Sequence, residues 1–332
     1  RRKRENWKQE KMVASVLVIG GSGYLGSSLV RLLTARNHRV NCIVRSSEAA
    51  RKVEELGANP VFGNLANPEK IQAASVKCDV TVLLAATRDK NRSTYERNVN
   101  RALLESSSNN RKGYIFTSGV WVYGDAKDKS VQTEADPLNP LPIAIPRAQE
   151  DMMVLENSNP LAIVLRPGYV FGGPGIGSSS LKAWIKAAAE ASPEAPMIVA
   201  GDGKNKQPWI HLEDCTWAYC KAIENIHLSM MSTSDEKPLP KALNVTDGHQ
   251  FHTADQVVTA IFKSLNKPKT VRYVDLNSPE AQEIGLARAE TQAVHQVVGS
   301  DLGMEVLSWN LPRRSLLDES EMDAMVSQFR MN

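Results

Sequence analysis

The chain has 332 residues, 42% of them hydrophobic and 23% charged, with a formal net charge of +3. At that length folding removes roughly three quarters of the accessible surface, so collagen-like, disordered and disulfide-scaffold classes are excluded and the core needs no staple. The first eleven residues alone carry six basic and two acidic side chains, which leaves the rest of the chain nearly neutral, with no basic footprint for nucleic acid.

The opening RRKRENWKQEK has no apolar core, so it is not a secretory signal; it reads as a basic tail, 1–11, ahead of Met12. As a plain solvated tail it goes with a cytoplasmic protein; as a processed targeting remnant it goes with an organelle matrix. Trp7 within it and Trp121 further on are candidates for contact with a partner. No apolar run approaches the ~18 residues of a membrane span. Cys42, Cys78, Cys215 and Cys220 have no CxxC spacing and no His-rich neighbourhood, so they read as reduced, mostly buried thiols and no metal site is expected.

Short β-branched runs then alternate with amphipathic stretches. Strands are predicted at 15–20, 39–45, 60–65, 79–86, 113–119 and 161–168, with helices at 23–37, 48–58, 95–108 and 147–157. The alternation predicts an α/β chain: a Rossmann-type doubly wound parallel sheet. From Gly172 onward Gly and Pro become dense and the rhythm loosens, so a smaller substrate lobe is interleaved with the sheet domain. The expected division is a dinucleotide-binding domain at 12–170, completed by about 213–245, with the lobe at 171–212 and 246–332. The stretch 232–241 reads as a flexible loop.

The strongest motif is GGSGYLG, in which Gly20, Gly23 and Gly26 bracket Ser22, Tyr24 and Leu25 between a predicted strand and a predicted helix. The glycines permit a tight turn and let backbone approach a pyrophosphate at the helix N-terminus; a plain Gly-rich turn is the alternative. Nineteen residues on, the second strand ends in Arg45, Ser46 and Ser47, where a carboxylate for the ribose 2′-OH of NAD is expected. A guanidinium and hydroxyls there suit a 2′-phosphate, so NADP(H) is expected ahead of NAD(H), unless Arg45 is only a solvated loop residue.

GGSGYLG, the later GNL at 63–65, LLAAT at 83–87, Asn98-Val99, TSGVWVYG at 117–124, LRPGYVFGGPG at 165–175 and WIHLEDCTWA at 209–218 occur in that order. On these motifs residues 13–315 resemble the short-chain dehydrogenase/reductase superfamily, specifically its extended, NAD-dependent epimerase/dehydratase type. The resemblance implies that Asn64 and Leu65 border adenine, that Ala85 and Ala86 line the adenosine ribose, and that Pro167 and Gly168 face the nicotinamide. It also sets His211 and Asp214 near the lobe, with a satisfied histidine and a helix N-cap as their plain readings.

The family's chemistry uses a Tyr acid/base, a Lys four residues later and a Ser or Thr hydroxyl. No tyrosine lies between Tyr123 and Tyr169, and no lysine between Lys129 and Lys182. Ile143 and Arg147 fall at the substituted positions, and Gly119 at the hydroxyl position. The literal pair Tyr123 and Lys127 spans Gly-Asp, which disfavours a helical i,i+4 pairing. Tyr123, Ser118 and Arg147 are therefore the candidate catalytic residues left. The expected function is an NADP(H)-binding protein with a degenerate site, acting as a nucleotide-stabilised subunit, scaffold or sensor with a protein partner or a second copy. The alternative is an active NADPH-dependent oxidoreductase or epimerase on a small carbonyl or sugar-like substrate.

Overall fold

Four consecutive buried residues, Val16 to Ile19, make β1 (Ser15–Ile19) a central strand covered on both faces, as a parallel sheet requires. The computed structural model describes residues 13–85, 91–126, 130–175, 179–232, 239–248, 250–309 and 315–331. The basic tail with Trp7, Ala86, Lys127 and residues 233–238 of the expected flexible loop lie outside the described residues.

After β1 come α1 (Tyr24–Ala35), β2 (Arg39–Val44), α2 (Ser47–Glu54), β3 (Asn59–Phe62), α3 (Pro68–Ser75) and β4 (Val80–Leu83). Then follow α4 (Arg92–Asn110), β5 (Gly113–Thr117), two single 3-10 turns at Val120–Tyr123 and Pro142–Ala144, α5 (Ile145–Leu155) and β6 (Ala162–Pro167). The next elements are β7 (Tyr169–Phe171), α6 (Ser179–Glu190), β8 (Met197–Ala200), β9 (Lys206–His211), α7 (Leu212–Met231) and β10 (Ala242–Val245). The chain closes with β11 (Phe251–Thr253), α8 (Ala254–Ser264), β12 (Val271–Val274), α9 (Pro279–Ile284), α10 (Leu286–Ala293), α11 (Asp301–Leu307) and α12 (Glu319–Met331).

Seven strands form one sheet in the order β10-β6-β5-β4-β1-β2-β3, every pairing parallel. The order reverses at β1 and β4, which opens a crevice beyond their C-terminal ends. Helix α1 buries Gly26, Leu29, Val30 and Leu33, the i, i+3, i+4, i+7 stripe of a helix laid on a sheet. Helix α7 leaves the lobe and packs on α1 and under β5, and β10 then adds to β6, so the lobe is threaded through the sheet domain. The lobe has its own core around Phe171, Trp184, Trp209 and Phe262, with a three-stranded sheet β11-β9-β7 and the pair β8-β12. Two boundaries move for local reasons. Helix α5 starts two residues early because Pro146 fits its first turn, and β3 stops at Phe62, freeing Gly63 to Leu65 as a loop over the sheet edge.

Candidate dinucleotide cleft

The crevice holds a cleft of about 480 Å³, within the ~300–1,000 Å³ range of cofactor sites. Gly20, Ser22 and Gly23 lie on one wall and Arg45, Ser46 and Ala49 on a second, with Asn64, Leu65, Ala85 and Tyr95 among the other lining residues. The glycine loop is as tight as its sequence demands. Gly20 has φ +102°, and a Cβ on Gly26 would lie 2.1 Å from the Gly20 carbonyl oxygen. Gly23 caps α1 without any side-chain hydrogen bond, and no acid stands in the first turn. Among the described residues no side chain caps the N–H groups at this helix end, a condition that suits an anion.

Arg45 is exposed at the end of β2, and the Ser46 hydroxyl caps α2 by accepting from the Ala49 N–H at 3.2 Å. The Asn64 side-chain oxygen accepts from the Ala66 N–H at 2.9 Å, holding the loop that presents Leu65. Tyr24, Leu25 and Gly26 do not line the cleft. The Tyr24 hydroxyl donates to the Gly172 carbonyl at 2.5 Å, tying the glycine loop to the lobe, and Leu25 packs on the sheet core.

At the ends of β5 and β6 stand the residues expected on the nicotinamide side. The Gly168 N–H donates to Val245, and a Cβ on Gly168 would meet the Pro208 carbonyl at 2.4 Å. Ser118 Oγ is buried and has no hydrogen-bond partner among the described residues. A Cβ on Gly119 would make ordinary van der Waals contact with the Pro167 carbonyl at 3.7 Å. Arg147 donates to Glu96 at 2.9 Å and to the Thr117 carbonyl at 3.4 Å, and lies over the Phe116 ring. Ile143, one turn earlier, is 45% exposed.

Tyr123 sits elsewhere. It closes the first 3-10 turn, is 1% exposed, accepts from Arg166 at 2.7 Å and donates its proton to the Asn244 side chain at 2.8 Å. Arg166 is itself held by both oxygens of the buried Asp151, at 2.9 and 2.8 Å. Burial pushes the Tyr123 phenol up to about 12, with Arg166 pulling the other way. Gly124 follows at φ +71°, so Tyr123 does not open an α-helix. Lys127, its literal partner, lies outside the described residues.

The sequence profile of the NAD dependent epimerase/dehydratase family matches residues 16–230. The chain belongs to this family. It is 32% identical over 166 residues to a 4-hydroxy-2-methyl-3-oxo-4-farnesyl-3,4-dihydroquinoline-1-oxide ketoreductase of Stigmatella aurantiaca, covering 47% of this chain and 50% of that one. It is 38% identical over 73 residues, 22% of each chain, to the photosystem II assembly factor Ycf39 of Synechocystis. The matches thus span half or less of these curated relatives. The fold matches dTDP-glucose 4,6-dehydratase of Bacillus anthracis, solved in complex with NAD, with a TM-score of 0.72 at 21% identity over 96% of this chain and 97% of that one.

Two further features of this epimerase/dehydratase chain needed three dimensions. His211, not Asp214, is the N-cap of α7: its Nδ1 accepts from the Glu213 N–H at 3.2 Å, while Asp214 is buried in the first turn. This corrects the reading of Asp214 as the cap, because the helix begins at Leu212, two residues before it. His38, Cys220 and Glu224 lie close enough together to share an ion. Their donor atoms are already engaged, however. The Ala14 N–H donates to His38 Nδ1 at 3.1 Å, which puts the ring proton on Nε2, and Arg36 donates to Glu224 at 2.7 Å. All four cysteines are buried free thiols. Tyr95 and Ala49 on the cleft wall escaped the sequence reading; Ala49 was legible only as the third residue of a helix that starts at the cleft.

Proposed function

We propose that the chain is an NADP(H)-binding family member that holds its nucleotide without the family's Tyr, Lys and Ser set, as a nucleotide-stabilised subunit, scaffold or sensor. The observation that carries this is the pairing of a built cleft, whose β2 end presents Arg45 and Ser46 in place of a carboxylate, with a Tyr123 hydroxyl spent on Arg166 and Asn244. In this reading the first turn of α1 takes the pyrophosphate and Arg45 the 2′-phosphate. Asn64, Leu65 and Ala85 bound the adenosine, while Pro167 and Gly168 border the nicotinamide, which supplies hydride chemistry when bound. Arg147, fixed by Glu96 beside the end of β5, holds a ribose or phosphate; its permanent charge makes it a poor proton trader.

The partner role draws on two supports. The assembly-factor name belongs to a relative over a short stretch. On this chain Ile145 and Met152, seven residues apart on α5, are 46% and 39% exposed, an apolar face suited to another protein or a second copy. One observation favours the second reading, an active NADPH-dependent reductase or epimerase: Ser118 Oγ, without a partner among the described residues, is a hydroxyl available to a substrate oxygen, and the curated ketoreductase is a relative. A carbonyl panel with nucleotide-loaded protein separates the readings. Binding without substrate-dependent NADPH oxidation supports the first, and turnover supports the second.

A further inference from the structure

We infer that the edge of the seven-stranded sheet between β3 and α3 is a docking groove for an acidic amphipathic helix of another protein. The site shares no lining residue with the nucleotide cleft, so the inference stands whichever nucleotide the cleft takes. Among the described residues β3 pairs with β2 alone, which makes it the edge strand. Arg39, Asn41 and Ile43 alternate along one face of β2, and the register Asn41↔Asn59 and Ile43↔Val61 carries that face onto β3. Helix α3 packs over this face through Ile71, which is fully buried, and turns Lys70, Ala73, Ala74 and Lys77 toward the outer strand at i, i+3, i+4 and i+7. The two alanines are too short to close the space over Val61, which remains as a groove of about 370 Å³.

Charge and exposure identify the occupant. Lys70 and Lys77 are exposed at the two ends of the alanine pair, and Arg39 is exposed at the start of the same strand face. Among the described residues none of the three is held by an ion pair or a side-chain hydrogen bond. No carboxylate lines the groove. Glu69, the acid of α3, lies a turn before Ala73, and Asp79, the next acid along the chain, is already engaged by Lys112 at 3.6 Å. The seven-residue separation sets the lysines about 10 Å apart along the helix, too far for one small anion to reach both. Carboxylates at i and i+7 of a second helix have that same spacing. The alanines between the lysines let the second helix approach closely, with its apolar side chains at i+3 and i+4 entering the groove. Phe62 on the groove and Val76, one turn after Ala73, are 59% and 38% exposed and extend the apolar footprint beyond a small molecule's reach. Addition of a strand is disfavoured. The Gly63 N–H points inward to Val44, so by alternation the outward donors of β3 fall at Phe62 and Pro60, and proline has none. The basic tail, 1–11, has the same sign of charge as the rim, which disfavours it as the occupant.

The test uses the full chain and a series of dye-labelled, helix-stapled peptides with Glu at i and i+7 and Leu, Met or Phe at i+3 and i+4. Binding is followed by anisotropy for wild type, the double variant Lys70→Glu with Lys77→Glu, and Ala73→Leu, which fills the groove without changing its charge; thermal melts check that each variant folds. The expected result is a peptide of the series that binds wild type about tenfold more tightly than its scrambled counterpart and about tenfold more weakly to each variant. Replacing its Glu residues by Lys should restore binding to the double variant, and added salt should weaken binding to wild type. A series in which no acidic peptide outbinds its scrambled counterpart, or in which the double variant binds as wild type does, would overturn the inference. Decanoate binding that is lost in Ala73→Leu, with no peptide bound, would make the groove a small-amphiphile site and overturn it as well. So would a wild-type dimer in sedimentation that the double variant lacks, because the occupant would then be a second copy.

Discussion

Replacing Tyr123 by Phe distinguishes a structural phenol from a catalytic one. The substitution deletes the oxygen that accepts from Arg166 at 2.7 Å and donates to Asn244 at 2.8 Å, both buried, and among the described residues leaves Arg166 hydrogen-bonded to Asp151 alone. An orphaned buried acceptor and a donor on a charged group cost about 2–4 kcal/mol together. In a chain of this length that corresponds to a fall in Tm of roughly 3–6 °C. The effect also has a pH signature. The folded phenol stands near 12 against 10 for the free group, so its contribution is intact below pH 10 and is withdrawn as pH rises toward 12; the Phe variant lacks that alkaline loss. Thermal melts across pH and NADPH titrations make the measurement. A variant with wild-type stability and abolished NADPH turnover would refute the structural assignment and make Tyr123 the proton donor.

Three other perturbations follow from the same geometry. Gly26→Ala drives a Cβ to 2.1 Å from the Gly20 carbonyl and is expected to abolish detectable NADPH and NADH binding alike, read by fluorescence titration. Glu224→Gln tests the buried cluster at the foot of α7. Burial alone would raise the Glu224 carboxyl, but His38, Arg36 and Lys221 outweigh it and hold the group at about 2, so its stabilisation is present above pH 4.5 and lost as pH falls toward 2. The Gln variant is expected to show a flatter acid limb in urea unfolding, with up to ~3 kcal/mol at stake. Ile145→Glu with Met152→Glu places charge on the exposed face of α5; light scattering should show loss of any self-association while NADPH binding persists.

Signals local in sequence were read well. The glycine loop, the strand that feeds it and Arg45 at the end of β2 all fall within about thirty residues, and each has a steric or electrostatic reason that a linear pattern carries. Contacts between distant segments were not legible. The Lys52 ammonium donates to the Ser22 carbonyl thirty residues away, and nothing in the alternation of α2 says which way a surface lysine leans. Tyr123 carries a family-like VYG context, but its commitment depends on Arg166 and on Asn244, which lies 121 residues away on β10. The α7 cap misled for a related reason: His211 is the last residue of a strand, and Asp214 has the commoner capping chemistry, so only the backbone conformation at His211 assigns the role.

The central claim is nucleotide binding without the orthodox reaction, and one titration series addresses it directly. Purified chain is titrated with NADPH and NADH, and the loaded protein is then mixed with a panel of carbonyl and nucleotide-sugar substrates while absorbance of the reduced nicotinamide is followed. The expected results are tighter binding of NADPH, loss of that preference in Arg45→Ala, and a nicotinamide signal that no substrate drains. Equal or tighter NADH binding, or brisk substrate-dependent oxidation that disappears in Tyr123→Phe or Arg147→Ala, would contradict it.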